Sequence, residues 1–81
     1  MAYGKSAEVK FEIVEHLCVL KDRKPAWDLE FNLVSWNGGE PKYDIREWNE
    51  DHTRCGKGTT LGLEELKKLV GYCEEAQIWD V

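Results

Sequence analysis

The chain has 81 residues, a formal net charge of −5 and four tryptophans. A domain of this size buries only about 60 to 65% of its unfolded surface, which predicts one domain over residues 1–81 with a thin core and some of those rings at a working surface. Three widely spaced cysteines, Cys18, Cys55 and Cys73, no apolar leader and no apolar run near the roughly 20 residues that cross a bilayer predict reduced thiols in a cytoplasmic protein without a membrane role.

Residues 9–20 alternate at Val9, Phe11 and Ile13 and then slip to Leu17 and Val19, which predicts a long strand with a bulge or bend. The charged run 21–25 ends in proline and reads as a turn. Trp27, Leu29, Phe31 and Leu33 then alternate with Asp28, Glu30, Asn32 and Val34, so a second strand should send its odd-numbered face to the core. Asn37-Gly38-Gly39 supplies the positive φ angles of a tight reversal, and Pro41 closes it. In the third strand Tyr43 and Ile45 point one way while Lys42, Asp44, Arg46 and Trp48 point the other. Residues 49–54 are loop-like and residues 55–61 form a short, glycine-flexed fourth strand. Leu63, Leu66, Leu69, Val70 and Cys73 follow helical spacing, weakened locally by Gly71.

A regular hairpin would set Trp36 opposite Lys42 and Asn32 opposite Arg46, gathering Trp36, Trp48, Lys42 and Arg46 on the face away from the core. Aromatic faces that stack on bases, interleaved with cations that meet phosphates, are what an unpaired strand requires. The competing expectation is that Trp36 and Trp48 complete a core or a dimer contact. Arg54 and Lys57 add two cations around flexible glycines, a set that a plain hairpin end would also produce; the spacing is not that of a Walker loop. His16, His52 and the cysteines lack metal-ligand spacing, so no metal or other cofactor is expected. Cys18 and Cys73 are expected in the core and Cys55 nearer the surface. Cys55 and His52 form no nucleophile set without an orienting third group, and no enzyme is predicted. Most carboxylates read as a solvated face. Residues 59–81 hold five acids against two lysines, whereas residues 42–58 balance four bases with four acids. The acid is thus concentrated away from the candidate surface.

The run Pro41-Lys-Tyr-Asp-Ile-Arg-Glu-Trp48, followed by Gly56-Lys-Gly-Thr-Thr-Leu61 and Leu63-Glu-Glu-Leu66, resembles the C-terminal domain of the transcriptional positive cofactor four family, closest to its bacterial YdbC-like branch. The resemblance is strongest over residues 41–69. It implies an α+β fold, a strongly curved four-stranded antiparallel sheet followed by one C-terminal helix, working as a homodimer. It also implies binding of single-stranded DNA along the sheet with little sequence preference, in transcription regulation or DNA maintenance. By position, Arg46 and Lys57 match family cations that contact DNA, and Trp36 matches an aromatic near the end of the second strand. The chain departs from the family at Asn49, where an aromatic is usual, and at Gly38 and Glu40, where bases surround the hairpin loop; Arg54 lies one position from a family cation. If the strand end twists outward, Trp48 takes over the stacking that Asn49 cannot supply.

The expected ligand is therefore single-stranded DNA, with RNA as the other candidate, held by Trp36, Lys42, Arg46, Trp48, Arg54 and Lys57. The rival expectation is a protein-interaction module that uses the same aromatic face, which the net charge of −5 favours.

Overall fold

The computed structural model describes residues 10–80. Four strands, β1 (Phe11–Lys21), β2 (Asp28–Trp36), β3 (Lys42–Trp48) and β4 (Cys55–Leu61), are followed by the helix α1 (Leu63–Ala76). The strands pair antiparallel in the order β1-β2-β3-β4, an open meander. Val9, with which the sequence reading opens the first strand, lies outside the described residues.

The slipping alternation of β1 has a direct structural counterpart. Its register against β2 shifts between Ile13 and Glu15, between His16 and Cys18, and between Val19 and Lys21. Each shift bends the strand and increases its twist. At the other side of β2, Asn37 (φ 52) and Gly38 (φ 75) make the two positive-φ positions of a type I′ turn, closed by the Gly39 N–H donating to the Trp36 carbonyl at 2.9 Å.

The register beyond that turn differs from the expected one. Val34 faces Lys42, Asn32 faces Asp44 and Glu30 faces Arg46, a displacement of two residues. Residues 35–41 pair with no β3 residue, Ser35 and Trp36 being paired only to β1, and the Ser35 hydroxyl donates to the Gly39 carbonyl at 2.6 Å. Because the displacement is even, every side chain keeps the face the alternation assigned to it.

The sheet curls over its even-numbered face. Phe11 pairs with Trp36 at one end of β2, and Trp48 pairs with Asp28 at the other. In a flat sheet those two ends would stand roughly 26 Å apart. The Phe11 and Trp48 rings nevertheless meet edge to face with centroids 5.0 Å apart, and Phe11 lies 6.0 Å from Trp36. The curl encloses what lies between, so Val34, Asn32 and Asp44 are fully buried and Trp48 is 1% exposed.

This reverses the expected core. Leu29, Phe31, Leu33, Tyr43 and Ile45, assigned to the interior from their alternation, are only half buried. The physical reason is that α1 touches only β3 and β4 and contributes no buried residue, so much of the odd-numbered face has no second layer. Asp28, Glu30 and Asp44 are buried rather than part of the solvated acidic surface. Cys18 is exposed and Cys73 and Cys55 are intermediate, because the shifts in β1 and the loosely seated helix carry the first two out of the core. The helix starts where the Gly62 N–H donates to Glu65 Oε1 at 2.7 Å and stops at left-handed Gln77 (φ 53).

The turn between β1 and β2 is tied by charge. Asp28 accepts from the Arg23 N–H at 2.8 Å and from the Lys24 ammonium, and Arg23 Nη1 donates to Glu47 at 2.8 Å. The Lys24 hydrogen bond, then that of the Arg23 N–H, hold the Asp28 carboxyl below its ordinary value. A depressed carboxyl stabilises the fold above its unfolded pKa of about 3.9 and loses that contribution as pH falls through the folded value. Thermal melts below about pH 4 should therefore fall more steeply for the native chain than for Asp28→Asn.

Glycine is required at one place on β4. A Cβ on Gly58 would lie 2.3 Å from the Ile45 carbonyl oxygen and 2.7 Å from the Arg46 Cα, whereas one on helical Gly71 would meet nothing within 4 Å. Denaturant titration should show Gly58→Ala destabilised by about 1–3 kcal/mol. Gly71→Ala, relieved of glycine's backbone entropy, should be stabilised by about 0.5–1 kcal/mol.

Candidate nucleic-acid interface

Even-numbered positions of β2 and β3 share one face, and the curl brings their long side chains together although they are distant along the strands. Arg46 is the centre of this group. Its Nε donates to Asp44 Oδ1 at 3.0 Å, its Nη2 to Asp44 Oδ2 at 3.1 Å, and its Nη1 to the Gly56 carbonyl at 3.1 Å. The guanidinium carbon then sits 5.0 Å from the centroid of the Trp36 ring, within cation–π range. Asp44 is wholly buried and also accepts the Thr60 hydroxyl at 2.8 Å. The side-on carboxylate pair fixes the plane of the guanidinium.

The six residues assigned from sequence fall into three sets. Trp36 and Arg46 are in contact on the enclosed face, and Trp36 is half buried. Trp48 lies on the same face but is buried, with Phe11 against its edge and the His52 ring 5.7 Å away. It forms the floor of the face and not a free stacking platform, because the strand end curls inward and the outward twist on which its stacking depended is not made. Lys42 is exposed opposite Val34. Arg54, in the loop before β4, and Lys57, on β4 directly before Gly58, the partner of Arg46, are both exposed. They stand at the rim, apart from the Trp36–Arg46 pair.

Sequence reasoning misses Asp44, Thr60, Glu30 and Phe11. Asp44 and Glu30 are carboxylates in alternating strands, where exposure is the usual outcome. Only the position of Asp44 two residues before Arg46 on one strand face signals the pair. Phe11 carries a strand signal alone, and nothing in the sequence marks it as the ring that spans the curl. Glu30, 4% exposed, accepts from His52 Nε2 at 2.9 Å through each oxygen and from Asn32 Nδ2 at 3.1 Å. The Asn32 carbonyl oxygen lies 2.7 Å from His16 Nδ1.

Two chemical observations complete the site. Burial pushes the Cys55 thiol up, which withdraws the thiolate a nucleophile would need. Among the described residues, no group of three or more His, Cys, Asp or Glu side chains is placed to hold a metal ion, and no helix is long and apolar enough to cross a membrane.

The family described as Transcriptional Coactivator p15 (PC4) matches residues 24–72, which span the turn before β2 through most of α1. An uncharacterised protein of Treponema pallidum (strain Nichols) is 39% identical over 59 residues, covering 73% of this chain and 69% of that protein. The segment matched by the family holds the Asp44–Arg46 pair, Trp36 and the rim cations, and membership of that family supports a nucleic-acid-binding role for the chain. By this match over residues 24–72, the chain belongs to the PC4 transcriptional coactivator family.

Proposed function

We propose that the chain binds single-stranded DNA, without catalysis and with little sequence preference along most of its path, as a homodimer. The observation that carries this reading is the Arg46 guanidinium held over the Trp36 ring, its carbon 5.0 Å from the ring centroid, by a buried carboxylate. Such a plate offers π surface to any base, and stacking contributes about 1–3 kcal/mol per base whatever its identity. Because Asp44 matches the charge of Arg46, phosphate attraction falls to the exposed Lys42, Arg54 and Lys57. Neutral centre and cationic rim together suit a strand whose bases turn inward and whose phosphates turn out. The curled face also disfavours a rigid duplex, whose bases are already stacked.

Support for the dimer comes from unfilled apolar surface. Leu63, Leu69, Val70 and Tyr72 on α1 are between 45% and 66% exposed, and the odd-numbered sheet face is only half covered. A second copy placed on that side would bury both and leave the curled faces pointing outward. Sedimentation at micromolar concentration should show a dimer; a stable folded monomer would overturn this part of the reading.

Removing Arg46 would strand the buried Asp44 charge, at a cost of about 3–5 kcal/mol in stability, so Arg46→Ala tests folding as much as binding. Trp36→Ala and Lys57→Ala separate the two contributions. Oligo-thymine should quench tryptophan fluorescence, and Trp36→Ala should weaken binding by about 1–3 kcal/mol while the fold survives. Lys57→Ala should lower affinity for every single-stranded sequence alike and make the salt slope shallower by about 0.7 for each phosphate left without its cation. Affinity that ignores salt in the native chain would favour a partner polypeptide on the aromatic face instead.

A further inference from the structure

A cavity of about 900 Å³ opens on the same sheet face, at the end of β2 away from Trp36. Its walls include His16 from β1, Asp28 and Glu30 from β2, Trp48 from β3, and Lys24 and His52 from the flanking loops. Lys24 is bonded to Asp28, so the ammonium charge inside is already matched, and Glu30 leaves the lining unfavourable to a phosphate. What a strand lying along this face can insert here is a base.

The chemistry of Glu30 selects among the bases. His52 Nε2 stands 2.9 Å from each Glu30 oxygen, so one N–H is shared between two acceptors. That equidistant position is where a donor fork with two parallel N–H groups would make two full hydrogen bonds to a carboxylate. Guanine presents such a fork, its N1–H beside its N2 amino group. Thymine offers one N–H between two carbonyls that the carboxylate would repel, and adenine and cytosine each offer an amino group beside an acceptor. His52 is 38% exposed in its side chain and belongs to a surface loop, so it can yield its place. Trp48 lines the same cavity, and its ring gives an unstacked base an apolar surface to lie against.

We infer that this cavity is a guanine-accepting subsite, in which Glu30 receives the N1–H and N2–H groups of one unstacked base in place of His52. The inference rests on the single-strand reading of the face and adds to it one base-selective position in a path otherwise indifferent to sequence. Asp28 and Lys24 position the wall, and Trp48 closes the floor.

Competition binding with the full chain tests it, using an all-thymine oligonucleotide, the same strand with one central guanine, and the same strand with hypoxanthine there, which keeps N1–H and lacks the N2 amino group. The guanine strand should bind about 5- to 100-fold more tightly than the thymine strand, as expected for one bidentate pair, and the hypoxanthine strand should lose most of that advantage. Glu30→Gln should remove the guanine advantage while leaving the thymine strand's affinity unchanged. Equal binding of all three strands would overturn the subsite and leave the single-strand reading intact. Failure of every strand to bind would overturn both. A guanine advantage that hypoxanthine shares in full, or that persists in Glu30→Gln, would overturn the assignment to Glu30; the base-side comparison stands even if that variant does not fold.

Discussion

A carboxylate with no exposure at all, Asp44, sits in the middle of a sheet face and is bound by Arg46 through both its oxygens and by the Thr60 hydroxyl. Taking a carboxylate out of water is costly unless it is both paired and hydrogen-bonded, and here both conditions hold. Much of the face follows from that requirement. Arg46 must fold back along β3 to reach a residue two positions earlier, which lays its guanidinium over Trp36. Gly58, opposite Arg46, has to be glycine because a side chain would strike the β3 backbone. Within the curl that joins Phe11 to Trp48, Asp44 itself has no exposure while Arg46 keeps some.

This arrangement reconciles an acidic chain with a polyanionic ligand. The cation at the centre is neutralised by its own protein and, in the proposed binding, serves through its planar surface, while exposed Lys42, Arg54 and Lys57 would carry the field a phosphate senses. Acid gathered in residues 59–81 lies largely on the helix and beyond it, on no strand of the curled sheet. Net charge is therefore a poor guide to this surface, since what counts is which charges are already paired.

Much of the architecture is legible in the sequence. Alternation locates β2 and β3, Asn37-Gly38 announces the reversal, the slip after Ile13 announces the bulges in β1, and leucine spacing announces the helix. Alternation separates the two faces of a strand but is silent on which face a sheet closes over, and so it assigns the half-covered Leu29, Phe31 and Leu33 to the core. Loop length decides the register, and a two-residue difference leaves the faces intact while moving Trp36 away from Lys42. Trp36 and Arg46 do come together as members of one face, although through curvature and side-chain reach and not through pairing across the hairpin. Burial of Asp28, Glu30 and Asp44 is illegible because a carboxylate in a strand shows its partners only once the strands are placed.

The central claim is that the curled, even-numbered face receives the strand. Side-chain resonances followed by NMR during titration with an oligo-thymine strand test it most directly. The account predicts that the Trp36 indole and the Arg46 Nε–H signals shift progressively, while the methyl signals of Leu29, Leu33 and Leu69 on the opposite side and the helix stay in place. Shifts confined to those leucine methyls, with Trp36 and Arg46 unmoved, would contradict it.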